Sequence, residues 1–322
     1  MDDFLSYSPE DVIAANLCEC DARLDMICEQ EAAHLRELAS ELAIGGSLNP
    51  DFFASLRDHR PAKAPLAADT LSQNKHLLGA HRTMLAAWQS VTLCRELHRL
   101  LAKERLLRPE DFFGEIEELP DTALGRVVYQ RNGYADAAYL RFAERITSPH
   151  VLYAHSFSAV CDQIYNRNCE FGILPVESSA EGPLNSVLGL IDRYELTVAA
   201  TLDVPTNDAS RTTRFALLRR DPLPLFGENE KDLRFEFSVA GNAEPSVAEL
   251  LFAADFCGLT LLRSDTRTLP QDKNAVTTRF VLGSENGDLY TYLLYLAMEA
   301  SHYTPIGIYL HLERPEPKRD RR

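Results

Sequence analysis

The feature that most constrains the fold is an alternation of strand-like and helix-like segments in the middle of the chain. Short apolar runs such as GRVVYQ, HVLYAH and LTVAATLDV are separated by amphipathic stretches with helical spacing. Alternating strands and helices predict a parallel sheet that is covered by helices. The run RTTRFALLRR is expected to be the last strand of this α/β domain, which we place at residues 124–222.

Two further patterns flank this middle segment. Residues 232–314 follow the order strand, helix, strand, strand, helix, strand, which is the β-α-β-β-α-β order of ferredoxin-like folds. Residues 1–108 carry two long apolar stripes at helical spacing, one beginning at Ser8 and the other running from about Ser72 to Glu104. They predict an antiparallel helical module. The expected fold class is therefore multidomain, with an α domain before an α/β domain and a ferredoxin-like domain.

Composition excludes several classes of protein. The chain has 33 basic and 48 acidic residues, a net charge of −15, which argues against a nucleic-acid partner. No apolar run reaches about 18 residues, so no membrane partner is expected. The N-terminal MDDFLSYSPEDV lacks the basic and apolar regions of a signal peptide, and the seven irregularly spaced cysteines are typical of reduced thiols. We expect a cytoplasmic protein without a metal or another cofactor.

The tetrapeptide Thr-Thr-Arg-Phe occurs twice, ending at Phe215 and at Phe280. Threonine and phenylalanine are ordinary strand formers, so both copies are compatible with a purely structural role. The alternative is that one copy carries an active-site threonine. The tetrapeptide alone does not decide between these interpretations.

The surroundings of the first copy resemble the bifunctional chorismate mutase–prephenate dehydratase family. That family carries a Pro-Ile/Val-Glu-Asn-Ser/Thr-x-x-Gly turn, and the segment GILPVESSAEG is similar to it. The family also has a Thr-Arg-Phe strand shortly before a regulatory ACT domain. The segments GLTLLRSDTRTLP and IGIY resemble the signatures of that ACT domain. The resemblance implies a helical mutase, a dehydratase and an ACT domain, in this order.

The resemblance also implies which residues form an active site for prephenate or a related small dianion. The family's catalytic threonine corresponds to Thr213, which would donate a hydrogen bond to the departing hydroxyl. The catalytic set implied is Thr213, Glu177 and Ser178, and the substrate-binding set is Ser179, Gly182 and Arg214. Strand alternation places Arg214 opposite to Thr213. Backbone N–H groups where SSAEGPLN enters its helix are expected to hold carboxylates, with Pro183 at the first helical position.

The chain departs from the family in three places. The family's second dehydratase lobe is inserted before the Thr-Arg-Phe strand, but here only PTNDAS separates the two strands, so this α/β domain has a single lobe. Ser178 replaces an asparagine. Residues 1–50 contain two basic and eleven acidic residues, which would repel the chorismate dianion. We expect that mutase activity is lost.

The ACT resemblance implies an effector site for phenylalanine or another amino acid, and a homodimer that forms through this domain. The corresponding residues are Ser246, Val247, Asp265, Thr266 and Arg267. Pro245 stands where the family has a glycine, which alters the approach of a ligand to the backbone.

Three hypotheses remain open at this point. The chain is a diverged prephenate dehydratase whose cleft is completed in an oligomer. Alternatively, it is a non-catalytic ACT-containing amino-acid sensor or a partner subunit of a true dehydratase. As a third alternative, it is an assembly protein that retains only the scaffold.

Overall fold

The computed structural model describes residues 29–30, 32–33, 36–37, 39–40, 75–104, 107–108, 110–113, 118–206, 210–221, 233–241, 244–269, 272–285, 287–300 and 303–312. The chain forms two compact units, residues 1–107 and 108–322. Among the helices in these ranges, none has the length and apolar character needed to cross a membrane.

In the first unit, α1 spans Lys75–Glu104. One side of it is buried, and the buried apolar residues include Ala87, Val91, Leu93, Cys94, Leu97 and Leu101. The long predicted helix that ends at Glu104 is confirmed. Most of the helix predicted to begin at Ser8 lies outside the described residues, although the eight described residues between 29 and 40 are helical. The antiparallel arrangement of the two stays a prediction.

The second unit contains ten strands and six helices within the described ranges. The strands are β1 Arg126–Gln130, β2 His150–Ala154, β3 Phe171–Ser178, β4 Gly182–Pro183, β5 Thr197–Pro205, β6 Thr212–Arg219, β7 Leu233–Ala240, β8 Thr260–Leu269, β9 Asp272–Gly283 and β10 Tyr303–Leu312. The helices are α2 Glu110–Phe113, α3 Gly133–Ala143, α4 Phe157–Tyr165, α5 Asn185–Arg193, α6 Val247–Phe256 and α7 Leu289–Glu299. The alternation predicted from the sequence is thereby confirmed segment by segment.

All these strands belong to one sheet in the order β2-β1-β3-β6-β5-β10-β7-β9-β8, with β4 attached to β3. The sheet therefore runs without interruption through both predicted segments, 124–222 and 232–314. The junction is a parallel pairing of β5 with β10, in which Ala200 is opposite Leu310. The boundaries of the three domains stay predictions.

The prediction of a parallel sheet is wrong for β6. Strands β1, β2 and β3 are mutually parallel, but β6 lies between β3 and β5 and is antiparallel to both. The reason is the short connection, since a parallel crossover needs a dozen or more residues and only residues 206–211 join β5 to β6. The backbone N–H of Thr206 donates to the carbonyl of Arg211 at 2.8 Å and closes this hairpin.

Helices cover both faces of the α/β part. Helix α3 packs on one face through Ala135, Ala138 and Phe142. Helices α4 and α5 pack on the other face, together with Leu174 and Leu218. Asn132 caps α3 by accepting from the N–H groups of residues 134 and 135, and Ser156 caps α4 by accepting from residue 159. Ser156 is therefore the N-cap residue of α4.

The remaining strands form an antiparallel group in the order β10-β7-β9-β8, which is the strand order of a ferredoxin-like fold. Phe235, Phe237 and Phe280 face helix α7, where Tyr292 contacts the first two of these rings. Strand alternation turns the intervening residues, among them Glu236, toward the opposite face of the sheet. That face is the one on which the candidate site is built.

Candidate functional site

The predicted site residues gather at one edge of the sheet. Because β1, β2, β3 and β5 point the same way, their carboxyl ends meet there, next to the start of the antiparallel β6. In open α/β sheets ligands bind outside the carboxyl ends of the strands. The turn at 178–182 and the loop at 206–211 lie at this edge.

Thr213 is half-buried and stands at the start of β6, directly opposite Ser178 on β3 and Val204 on β5. Strand alternation places its side chain on the same face as Phe215, which belongs to the core beneath α3. The structure thus brings together Thr213 and Ser178, two residues that are far apart in the sequence. Both lie on the α3 side of the carboxyl edge.

The turn that follows β3 is tied to the start of β6. The hydroxyl of Ser179 accepts from the backbone N–H of Thr212 at 2.9 Å, and the N–H of Ser179 donates to the carbonyl of Thr212 at 2.9 Å. The hydroxyl of Ser178 accepts from the N–H of Ala180 at 3.3 Å. Gly182 has φ +75°, a left-handed conformation that favours glycine. These bonds fix the turn beside Thr213.

The helix after this turn begins later than predicted. Pro183 is not at the first helical position, because it lies in β4 and pairs with Glu177. The N–H of Leu184 then donates to the carbonyl of Val176 at 2.9 Å, and α5 starts at Asn185. Leu184 is the N-cap residue and supplies no side-chain hydrogen bond to the helix. The start of α5 is therefore capped by no side chain and faces the turn through backbone N–H groups.

Glu177 and Arg214 lie on the other face of the sheet, opposite to Ser178 and Thr213. Arg214 donates to Glu177 at 2.8 Å and holds Asp203 through two hydrogen bonds of 2.9 and 3.1 Å. Its guanidinium is thus occupied by two carboxylates. The predicted catalytic and substrate-binding residues are consequently divided between two faces of the sheet.

The charged pairs continue from Glu177 into the ferredoxin-like part. Arg263 on β8 donates to Glu177 at 3.1 Å and lies 3.6 Å from Glu236. Glu236 also accepts from Arg279 at 2.5 Å and from the hydroxyl of Tyr309 at 2.8 Å. Together with Asp203 on β5, this network links β3, β5, β6, β7, β8, β9 and β10 on one face of the sheet.

The pKa values of this network follow from burial and pairing. Burial would raise the pKa of Glu236, but Arg279 and the hydrogen bond from Tyr309 outweigh burial and hold this pKa below its usual value. Burial and the charge of Glu236 raise the pKa of Tyr309 well above that of a free tyrosine. At Asp203, hydrogen bonds from His311 and Arg214 likewise overcome burial and lower the pKa. Both carboxylates are therefore ionised at neutral pH.

Sequence reasoning did not identify this network beyond Glu177 and Arg214. A signal was present, because the strand RFEFSVAG alternates charged and aromatic residues, and Glu236 on its charged face is buried. The second Thr-Thr-Arg-Phe copy held a further clue, since its arginine is the buried Arg279.

The predicted effector residues form two groups. Ser246 caps α6 by accepting from the N–H of residue 249 at 3.3 Å, and Val247 is the exposed first residue of that helix. Asp265 pairs with Arg267 on β8 at 2.6 Å, whereas Thr266 faces the other side of the strand, 3.3 Å from the hydroxyl of residue 278. Their role as an effector site stays a prediction.

In the part of the chain that the structure describes, no group of three or more His, Cys, Asp and Glu side chains is arranged to hold a metal ion.

Comparison with known proteins gives one match at the level of sequence families. The family model described as prephenate dehydratase matches residues 130–209, from the last residue of β1 into the β5–β6 loop. The match contains the turn at 178–182 and ends before Thr213. No curated protein matches the chain.

Solved structures that are similar to the chain include two prephenate dehydratases and a quorum quenching acylase. The prephenate dehydratase from Streptococcus mutans is 19% identical, with a TM-score of 0.47 and coverage of 58% of this chain and 99% of that chain. The quorum quenching acylase GqqA is 16% identical, with a TM-score of 0.45 and coverage of 57% and 94%. The prephenate dehydratase from Arthrobacter aurescens in complex with L-Phe is 12% identical, with a TM-score of 0.45 and coverage of 57% and 90%. Residues 130–209 thus carry the sequence pattern of the prephenate dehydratase family.

Proposed function

We propose that the chain is a prephenate dehydratase-like protein that converts prephenate to phenylpyruvate, carbon dioxide and water at the carboxyl edge of its α/β part. The observation that carries this proposal is the position of Thr213. Its half-buried hydroxyl stands directly opposite Ser178 and beside the turn at 178–182, which belongs to the segment with the family's pattern.

In the proposed reaction, Thr213 donates a hydrogen bond to the ring hydroxyl of prephenate as the carbon–oxygen bond breaks. The bond to the ring carboxylate breaks at the same time, carbon dioxide leaves, and the electron pair completes the aromatic ring. A threonine hydroxyl is too weak an acid to titrate, so its contribution is a positioned hydrogen bond to the developing negative charge. The departing hydroxide takes up a proton from solvent and leaves as water.

The substrate's carboxylates would be held by the turn and by the start of α5. Backbone N–H groups at a helix start favour negative charge, and this start carries no side-chain cap. Ser178 and Ser179 add hydroxyl groups at the same carboxyl edge, where Ser178 lies on the α3 side. Arg214 is a weaker candidate for this role, because Asp203 and Glu177 already occupy its guanidinium.

The second wall of the cleft would come from another copy of the chain. Only six residues, 206–211, connect β5 to β6, which is too short for the family's second lobe. We therefore propose a homodimer, formed through the ferredoxin-like part acting as an ACT domain. Mutase activity is proposed to be lost, because residues 1–50 carry eleven acidic and two basic residues.

Incubation of the purified chain with prephenate, followed by the absorbance of phenylpyruvate, tests the dehydratase proposal. Turnover above the acid-catalysed background is expected, and Thr213→Ala should lower the rate about 100-fold or more, the usual contribution of a positioned proton donor. Thr278→Ala is the matched control, since this threonine occupies the same place in the second Thr-Thr-Arg-Phe copy. Absence of turnover in the unmodified chain would refute the proposal.

The second candidate is a non-catalytic amino-acid sensor or a partner subunit of a true dehydratase. The observation that favours it is the engagement of Arg214 and Glu177 in ion pairs, which withdraws two family-implied residues from substrate. The sensor would use Ser246, Val247, Asp265, Thr266 and Arg267 to bind phenylalanine or a related effector. Aromatic amino acids should then raise the melting temperature by mass action. A melting temperature that no aromatic amino acid changes would eliminate the sensor.

A further inference from the structure

A cavity of about 290 Å³ opens on the face of the sheet that carries the charged network, at the junction of the α/β and ferredoxin-like parts. Small-molecule pockets span about 300–1,000 Å³, so this one is suited to a small ligand. Leu188 from α5, Val198 from β5 and Leu262 from β8 supply an apolar lining. Thr213 is not part of the lining, because it faces the other side of the sheet.

The charged part of the lining contains more arginines than carboxylates. Four arginines line the cavity, Arg214, Arg234, Arg263 and Arg279, against the two carboxylates Glu177 and Glu236. Asp203 does not line the cavity, but it neutralises the charge of Arg214 through two hydrogen bonds. Asp192 lies near Arg279, but its side chain is 55% exposed and its charge is screened by water. The lining therefore retains about one uncompensated positive charge.

Arg234 carries this charge. It stands on β7 opposite Tyr309 and is half-buried, yet no ion pair or hydrogen bond reaches its guanidinium from another residue within the described ranges. Burial lowers the pKa of Arg234 and the charge of Arg214 adds to this, although Tyr309, Asp203 and Glu236 act in the opposite direction. Burying a cation that makes no hydrogen bond or ion pair with the other described residues costs free energy, and an anion in the adjoining cavity would offset this cost.

We propose that this cavity binds a small monocarboxylate with an apolar body, whose carboxylate is held by Arg234 and whose body contacts Leu188, Val198 and Leu262. The planar guanidinium matches a carboxylate through two parallel hydrogen bonds. A dianion is disfavoured, because its two negative charges exceed the single uncompensated positive charge of the lining. An amine is repelled by Arg234, and both lining carboxylates already pair with arginines. The site goes beyond the dehydratase function and does not depend on it.

Calorimetric titration of the full chain with 3-phenylpropanoate tests the proposal without any need for turnover. The carboxylate should bind, whereas 2-phenylethylamine should not. Arg234→Gln should weaken binding by about tenfold to a hundredfold, the usual effect of losing a hydrogen bond between charged groups. Arg141→Gln is the matched control, because that arginine pairs with Glu144 at the C-terminal end of α3 and does not line the cavity.

Leu262→Asp provides a second variant that does not disturb the core, since Leu262 is 45% exposed where it lines the cavity. The added negative charge should weaken binding of 3-phenylpropanoate as well. Arg234→Gln should also raise the melting temperature of the unliganded chain, because it removes an uncompensated cation. The proposal is overturned if 3-phenylpropanoate does not bind, if Arg234→Gln and Arg141→Gln bind it equally, or if Arg234→Gln lowers the melting temperature.

Discussion

The phenylalanine and the arginine of the two Thr-Thr-Arg-Phe copies are placed alike, but the second threonine has different surroundings in each copy. In both, the phenylalanine enters the core, while the arginine, Arg214 or Arg279, turns to the charged face of the sheet. Thr278 is 8% exposed and lies 3.3 Å from the hydroxyl of Thr266, whereas Thr213 is half-buried at the carboxyl edge. The alternation of strand residues could be predicted from the sequence. The partners of the two arginines could not, because they lie on distant strands.

Glu236 is the most enclosed charge in the network, at 3% exposure, and its replacement tests the network directly. Glu236→Gln leaves Arg279 buried without its carboxylate and should lower the free energy of unfolding by about 3–5 kcal/mol. Glu144→Gln, at an exposed pair at the C-terminal end of α3, should change it by about 0.5 kcal/mol or less. Denaturant unfolding at pH 7 measures both, and equal effects would contradict this assignment.

Loss of the Glu236 carboxylate should also change how the stability of the chain depends on pH. Because the pKa of Glu236 is lower in the folded chain than in the unfolded chain, its stabilisation is complete above the unfolded pKa of about 4.3. This stabilisation is lost as the pH falls from there through the folded pKa. The unmodified chain should therefore lose more stability than Glu236→Gln over this acidic range.

At the scale of elements, the sequence predicted which segments are helices and strands but not the direction of β6. The direction of a strand depends on the length of the connection before it. In the sequence, the connection at 206–211 was recognised as a short polar stretch but not as a hairpin. The pairing of Glu177 with Arg214 also depends on an irregularity in the register between Pro175 and Glu177. Such bulges arise from backbone geometry and leave no periodic signal.

The junction between β5 and β10 depends on Gly307. A Cβ at this position would collide with the carbonyl oxygen of Val198, so Gly307→Ala should destabilise the chain by about 1–3 kcal/mol. Gly189 in α5 is the matched control, because a Cβ there meets nothing within 4 Å. Gly189→Ala should stabilise the chain by about 0.4–1 kcal/mol. If Gly307→Ala is as stable as the unmodified chain, the close approach of β10 to β5 is not required.

At the scale of the whole molecule, a single sheet joins two segments that the sequence suggested as separate domains. The pairing of β5 with β10 is reinforced by a 3.0 Å hydrogen bond between Thr201 and His311 and by the 3.5 Å approach of His311 to Asp203. Sequence patterns are local, so they predicted the helices and strands within each segment but not the pairing between the two segments.

Because β5 and β10 pair in one sheet, we expect the two strands to unfold together within residues 108–322. Backbone amides of β5 and β10 should exchange with solvent through the same opening reaction, with the same dependence on denaturant, because neither strand can leave without breaking the sheet. Native-state hydrogen exchange measures this. Two distinct opening free energies, one for residues 126–219 and another for 233–312, would be incompatible with the continuous sheet.

We propose that the hydroxyl at position 213 takes part in the removal of water from prephenate. The most direct measurement is the rate of phenylpyruvate formation by Thr213→Ser compared with Thr213→Ala. Serine keeps the hydroxyl and should retain most of the rate, whereas alanine should lose about 100-fold or more. Equal rates for the two variants would contradict the claim.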